Sequence, residues 1–344
     1  ECASRPPRER GGRCDPLTRS DSGGEGHSHG LRVVQPAHAA ERHVLAVVDL
    51  EEARLSGRKA ALARNPGIRL SLAAPDPAGP RGVRDDAHGV GRATAVALRL
   101  LDRTSQAVEL PDGEHLDREA LQTICENELA CYLIQDGELE RIEVFSEAFN
   151  RYYSLMPTHR APTMLISGIP MHRIKNTDPH KDTLSKIKAV APIHGTVLDT
   201  TMGLGYTAIE AARTAEQVTT IELDPAVLEI CRLNPWSAEL FNNPRITRLL
   251  GDAFDVIAGF QDQEFSCVLH DPPMFSLAGH LYSSAFYEQV YRVLRRKARL
   301  FHYIGDPDSR SGRGTTRGVI RRLKESGFRR VKPTPRAFGV VAYK

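Results

Sequence analysis

From Gly195 to the end of the chain, short β-branched runs alternate with longer amphipathic stretches. TVLDT, QVTTIE, RITRLL, SCVLHD and LFHYIG read as strands, each flanked by turn residues. YTAIEAARTA, AVLEICRL, FDVIAGF, SAFYEQVYRVL and TRGVIRRLKESG read as the helices between and after them. FRRVKP and FGVVAYK end the chain as two further strands. Strand–helix alternation of this kind predicts the α/β class: a doubly wound, Rossmann-like sheet of seven strands, mostly parallel, the last antiparallel. Right-handed crossovers then place a ligand crevice at the carboxyl ends of the strands.

Residues 108–176 carry a different pattern. LDREALQTICEN has the acidic first turn of a helix. ACYLIQDG, ELERIEVFSE, FNRYYSLMP, PTMLISG and IPMHRI follow, cut by Asp136-Gly137, Pro157, Pro162 and Gly168. Short aromatic and β-branched runs with such breaks predict a small, mostly antiparallel β-rich unit. DPHKDTLSKIKAVAPI then predicts a linking helix, N-capped by Thr177 or Asp178. The nucleotide-type domain is expected over 177–344.

Residues 1–107 contain no Phe, Tyr, Trp or Met, although the chain has 21 aromatics and five methionines. Such a segment has little from which to build a core. Glu1–Gly30 reads as a tail, and GHSHG within it as two histidines without a metal. His43–Leu72 can form a strand–helix–strand unit from HVLAVVDL, EEARLSGRKAALAR and IRLSL. An accessory domain, or a tail upstream of the true start, are both open readings of 1–107.

Charge and cysteine content change the picture little. The net charge of +3 does not by itself call for a nucleic-acid partner, and no apolar run reaches the ~18 residues needed to cross a bilayer. The six cysteines include no CxxC pair, which argues against a zinc ribbon or disulfide framework. Reduced thiols, a cytoplasmic location and no metal are the expectation.

The chemistry lies at the strand ends. VLDTTMGLGYTA places Asp199 at the end of the first strand and Gly203 and Gly205 in the turn after it. Those glycines permit a tight turn with backbone close to a ligand; with Thr at 201 the run is not GxGxxG, and without a following Lys-Ser or Lys-Thr it is not a P-loop. TTIELDP puts Glu222 at the end of the second strand, where a carboxylate can hold both hydroxyls of a ribose. LLGDAF puts Asp252 at the third strand end, placed to accept from an adenine amino group, with the Ala253 backbone beside it. VLHDPPMF puts Asp271 at the fourth, where two prolines stiffen the backbone.

These residues resemble the class I S-adenosylmethionine-dependent methyltransferases. The likeness spans about residues 180–344, through the glycine turn, IELDP, GDAF and HDPP. More narrowly, 108–344 resembles a mainly archaeal predicted methyltransferase family, most of all in ISGIPMHRI and DPPMFSLAGHLYS. The resemblance implies S-adenosyl-L-methionine as cofactor, held by Asp199, Gly203, Gly205, Glu222, Asp252 and Ala253. It implies Asp271 as the group that orients the acceptor or takes its proton, with His270 or His302 as an assisting base. In DPPMF the aromatic falls one place later than in the amino-methyltransferase motif, which leaves Phe275 either stacking on a base or packing in a core.

LYSSAFYEQVYRVL resembles a second branch of the same fold, the spermidine and spermine synthases, which transfer an aminopropyl group from decarboxylated S-adenosylmethionine. Their first motif resembles GGGDGG, and TTMGLG lacks its acidic residue. A third reading is RNA binding with a vestigial cofactor pocket. It rests on residues 292–344, which hold 16 Lys/Arg against 3 Asp/Glu. The expected partners are therefore an acceptor, small molecule or RNA, and a second copy of the chain as a homodimer; no membrane is expected.

Overall fold

The computed structural model describes residues 115–344 apart from 128, 136, 137 and 159. Before them it describes the strands 32–33, 44–48, 70–72, 94–100 and 107–109. The expected helix at 51–64, the tail at 1–30 and the GHSHG run lie outside the described residues.

The central sheet is mostly parallel with its last strand antiparallel, as the pattern predicts. From one edge its strands are Arg32–Val33, Ile246–Leu250, Gln217–Glu222, Thr196–Asp199, Phe265–His270, Leu294–Tyr303, Gly339–Tyr343 and Arg330–Thr334. The five from Ile246–Leu250 to Leu294–Tyr303 are mutually parallel. Gly339–Tyr343 runs antiparallel to both of its neighbours. The strand order reverses beside Thr196–Asp199, the switch point at which a doubly wound sheet opens a crevice. The two-residue strand Arg32–Val33 adds an antiparallel edge to the seven that the pattern predicts.

Helices cover both faces. Pro179–Val190, Tyr206–Ala212 and Pro225–Leu233 bury Val190, Ile209, Val227 and Ile230 on one side. Ser284–Val293 and Arg310–Glu325 bury Phe286, Tyr287, Val290, Val319 and Leu323 on the other. The linking helix is capped as expected: Asp178 accepts from the Lys181 N–H at 3.0 Å. The last helix begins at Arg310, six residues before the predicted Thr316. Its cap explains the difference, because the Ser309 hydroxyl accepts from the Gly312 N–H at 2.9 Å. The glycines that made this stretch read as a loop are tolerated inside the helix. At Gly312 a side chain would run into the Asp306 carbonyl, so that position requires glycine.

The β-rich unit forms a four-stranded antiparallel sheet of Glu143–Ser146, Arg151–Met156, Thr163–Ile166 and Ile169–Pro170. It is tied to the Rossmann-like part by buried polar contacts. The Tyr153 hydroxyl donates to Asp224 at 2.8 Å, and the Tyr206 hydroxyl donates to the Pro162 carbonyl at 2.9 Å. Tyr132–Gln135 and Glu138–Arg141 belong to another sheet, in which Val44–Val48 pairs antiparallel with residues 132–134. The predicted strands HVLAVVDL and IRLSL are thus present at 44–48 and 70–72.

Candidate active site

Asp199, Glu222, Asp252 and Asp271 lie at or just beyond the carboxyl ends of four adjacent strands. Backbone bonds lock these ends together: the Thr200 N–H donates to Leu269, Met202 to Ile221, and Gly251 to Glu222. The glycine turn closes over them. Gly203 has φ +53° and Gly205 has φ +76°, a region that favours glycine. A side chain at Gly203 would strike the Met171 methyl, which brings the β-rich unit against the turn.

Each carboxylate has a distinct environment. Asp199 is fully buried and its Oδ2 accepts from the Thr220 hydroxyl at 2.7 Å. Its Oδ1 is buried without a well-aligned hydrogen bond, although the Thr201 N–H bears on the carboxyl. Burial pushes this carboxyl up to about 8, against the Thr220 bond. Glu222 accepts three backbone N–H groups, from Gly203 at 2.9 Å, Leu223 at 2.9 Å and Asp224 at 3.1 Å. Burial raises Glu222 to about 7 despite those donors. Asp252 caps the short helix Ala253–Val256 through the Phe254 N–H at 2.8 Å, and lies 3.1 Å from His280 Nε2.

Asp271 is held from the linking helix. Lys186 Nζ lies 2.5 Å from Asp271 Oδ2 and 2.9 Å from Asp182 Oδ2. Asp182 Oδ1 in turn faces Arg173 Nε at 3.2 Å. Burial pushes the Asp271 carboxyl up, and the Lys186 ammonium opposes that. For Lys186 the carboxylates prevail over burial, and its ammonium is held above the usual lysine range. The Tyr303 ring lies under the ammonium at 4.6 Å.

The histidines point elsewhere. His270 is fully buried, with Nε2 3.0 Å from the Leu281 carbonyl and Nδ1 2.7 Å from the Thr200 hydroxyl. Both ring nitrogens are engaged, and burial lowers its pKa to about 3. The sequence placed His270 beside Asp271 as a base; alternation along the strand turns it to the opposite side, into the layer of Phe286, Tyr282 and His302. His302 is also fully buried, with Nε2 2.8 Å from the Tyr287 hydroxyl. Phe275 is no core residue: it is 54% exposed and meets Tyr282 edge-on.

Lys186, Asp182, Arg173 and His280 escaped the sequence reading. The i,i+4 spacing of Asp182 and Lys186 was the available signal, and it reads equally as an exposed helix pair. Of the backbone N–H groups in the glycine turn, those of Met202, Gly203 and Gly205 are already bonded within the protein.

The donor set suits an adenosyl cofactor. A buried acceptor stands at Asp199, a carboxylate at the end of the second strand at Glu222, and a side chain with an adjoining N–H at Asp252 and Ala253. The comparisons with known proteins support a transferase of the spermidine synthase and methyltransferase kind. Residues 181–306 match the spermine/spermidine synthase domain. The uncharacterized protein MJ1233 of Methanocaldococcus jannaschii is 48% identical over 247 residues, covering 71% of this chain and 84% of that one. The chain belongs to the family of that protein. Putrescine N-methyltransferase 2 of Nicotiana tabacum is 31% identical over 97 residues, 27% of this chain and 28% of its own length. The spermidine synthase of Thermotoga maritima aligns in structure with a TM-score of 0.47 and 18% identity, over 58% of this chain and 70% of that one. Among the described residues no helix is long and apolar enough to cross a membrane.

Proposed function

We propose that the protein is an S-adenosyl-L-methionine-dependent methyltransferase whose acceptor meets Asp271. The observation that carries this reading is the row of four strand-end carboxylates around a glycine turn that itself has no acidic side chain. Asp199 and Glu222 are assigned to the ribose and the methionine amino group, and Asp252 with the Ala253 N–H to the adenine. An acid within the turn would repel the methionine carboxylate, and Thr200–Tyr206 presents none.

When bound, the cofactor supplies an electrophilic sulfonium methyl. The protein's own task is to orient the acceptor and exclude water. Asp271 accepts a hydrogen bond from the acceptor N–H or O–H and receives its proton as the new bond to carbon forms. Lys186 favours the ionised form of that carboxylate and opposes the rise that burial imposes on it. His270 is assigned no proton, since both its nitrogens are occupied.

A second reading, aminopropyl transfer, is favoured by the domain match over 181–306. Competition of S-adenosylmethionine and its decarboxylated form against a labelled cofactor separates the two. We expect S-adenosylmethionine to bind at least about tenfold tighter, roughly 1.4 kcal/mol. Tighter binding of the decarboxylated form, with aminopropyl transfer to putrescine or spermidine, would reverse the assignment.

A further inference from the structure

The acceptor side of the site already contains an amine. Lys186 reaches from Pro179–Val190 into the gap between Asp182 and Asp271, with its ammonium 2.9 Å from one carboxylate and 2.5 Å from the other. Its side chain is 3% exposed, and that of Asp182 is fully buried. Two acids with an aromatic face beneath them make a site for an alkylammonium ion. Here the chain supplies that ion itself.

We propose that Lys186 is a tethered occupant of the amine position between Asp182 and Asp271, a specificity-determining residue that bars cationic amines, so that the acceptor is an uncharged N–H or O–H group. This rests on Asp271 as the acceptor residue.

Charge balance carries the argument. Arg173 and Lys186 are cationic, Asp182 and Asp271 anionic, and all four lie in one chain of contacts. The set is neutral before any acceptor arrives. An uncharged acceptor keeps it neutral. A diamine would bring an ammonium next to the buried ammonium of Lys186, with no carboxylate in the set left unpaired. The ammonium cannot readily withdraw as a neutral amine, because both carboxylates hold its proton. Diamines such as the putrescine that several of the similar proteins are named for are therefore excluded here by a side chain rather than by shape.

The test is calorimetric titration of putrescine, with uncharged 1,4-butanediol as control, with and without S-adenosylhomocysteine. The proteins are wild type, Lys186→Met and Asp182→Asn/Lys186→Met. Wild type should show no putrescine binding below about 10 mM. Lys186→Met, which frees Asp271 and leaves Asp182 with Arg173 alone, so that the set carries a net negative charge, should bind putrescine at least roughly tenfold tighter, with butanediol unchanged. The double variant should lose most of that gain. Millimolar or tighter putrescine binding by the wild type would overturn the inference. So would a Lys186→Met protein that melts cooperatively and holds S-adenosylhomocysteine yet gains no putrescine affinity. Should Lys186→Met fail to fold, Lys186→Gln takes its place in the same titrations, with the same expected and overturning results. Absence of S-adenosylhomocysteine binding by the wild type would instead count against the proposed function, and the putrescine result would still judge this inference.

Discussion

The Gly203 N–H donates to Glu222 Oε2 at 2.9 Å, so the glycine turn and the end of the second strand form one unit. The same carboxylate collects the N–H groups of Leu223 and Asp224. Glu222 thus shapes the turn before it meets any ligand. Both carboxylate oxygens accept backbone N–H groups and a Gln amide can accept through only one, so Glu222→Gln, like removal of the side chain, probes the turn together with the proposed ribose contact.

Glu222→Gln should weaken S-adenosylhomocysteine binding by about tenfold or more, the loss of one charge-assisted hydrogen bond worth roughly 1.5–3 kcal/mol. Asp271→Asn should leave that affinity within about threefold and depress transfer instead. Calorimetry on the two variants distinguishes them. Equal affinity of Glu222→Gln and wild type would remove Glu222 from the cofactor site.

Asp199 makes stability depend on pH. Its folded pKa of about 8 lies above the ordinary carboxyl value of 3.8, so the folded protein holds a proton that the unfolded chain has released. Its contribution to stability therefore falls as pH rises through that interval. Asp199→Asn should raise the melting temperature relative to wild type more at about pH 8.5 than at about pH 5, measured without ligand. An equal effect at both values would mean that Asp199 is ionised throughout.

Two glycines should respond in opposite directions to alanine. Gly205 has φ +76°, and a side chain there would collide with Leu240. Gly205→Ala should destabilise the fold by about 1–3 kcal/mol. Gly314 sits inside the last helix with open space around it. Gly314→Ala should stabilise by up to about 1 kcal/mol. Chemical denaturation of both variants checks the pair, and a stable Gly205→Ala protein would contradict the local geometry.

How much of this was legible beforehand depends on how local the signal is. The strand–helix succession and the four strand-end acids follow from alternation along the chain, which each segment carries by itself. Asp178 as a cap is equally local. The Lys186–Asp271 pair joins residues 85 apart, and nothing in either segment marks the other. His270 shows the limit of adjacency: one step along a strand reverses the side on which a residue lies. The start of the last helix was hidden because Gly312 and Gly314 look like loop residues unless the Ser309 cap and the Asp306 carbonyl are seen.

His270 supplies the last test, because its burial acts on the acid side. Its pKa of about 3 lies below the ordinary value of 6.5, so the unfolded chain takes up a proton that the folded protein refuses. Stability from this group is full above the unfolded value and falls as pH drops below it. His270→Gln, which has no group titrating there, should flatten the fall in melting temperature between about pH 6.5 and 4. A structural role also predicts that the pH profile of transfer near neutrality is unchanged in shape, with Asp271 and the acceptor setting it. If His270 were the base, His270→Gln would instead remove an ionisation from that profile and lower the turnover by about 10²–10⁴-fold. Melting curves and rate profiles on one variant therefore separate a buried scaffold histidine from a proton acceptor. The hydrogen bonds at 2.7 and 3.0 Å to Thr200 and Leu281 make the first the expected result.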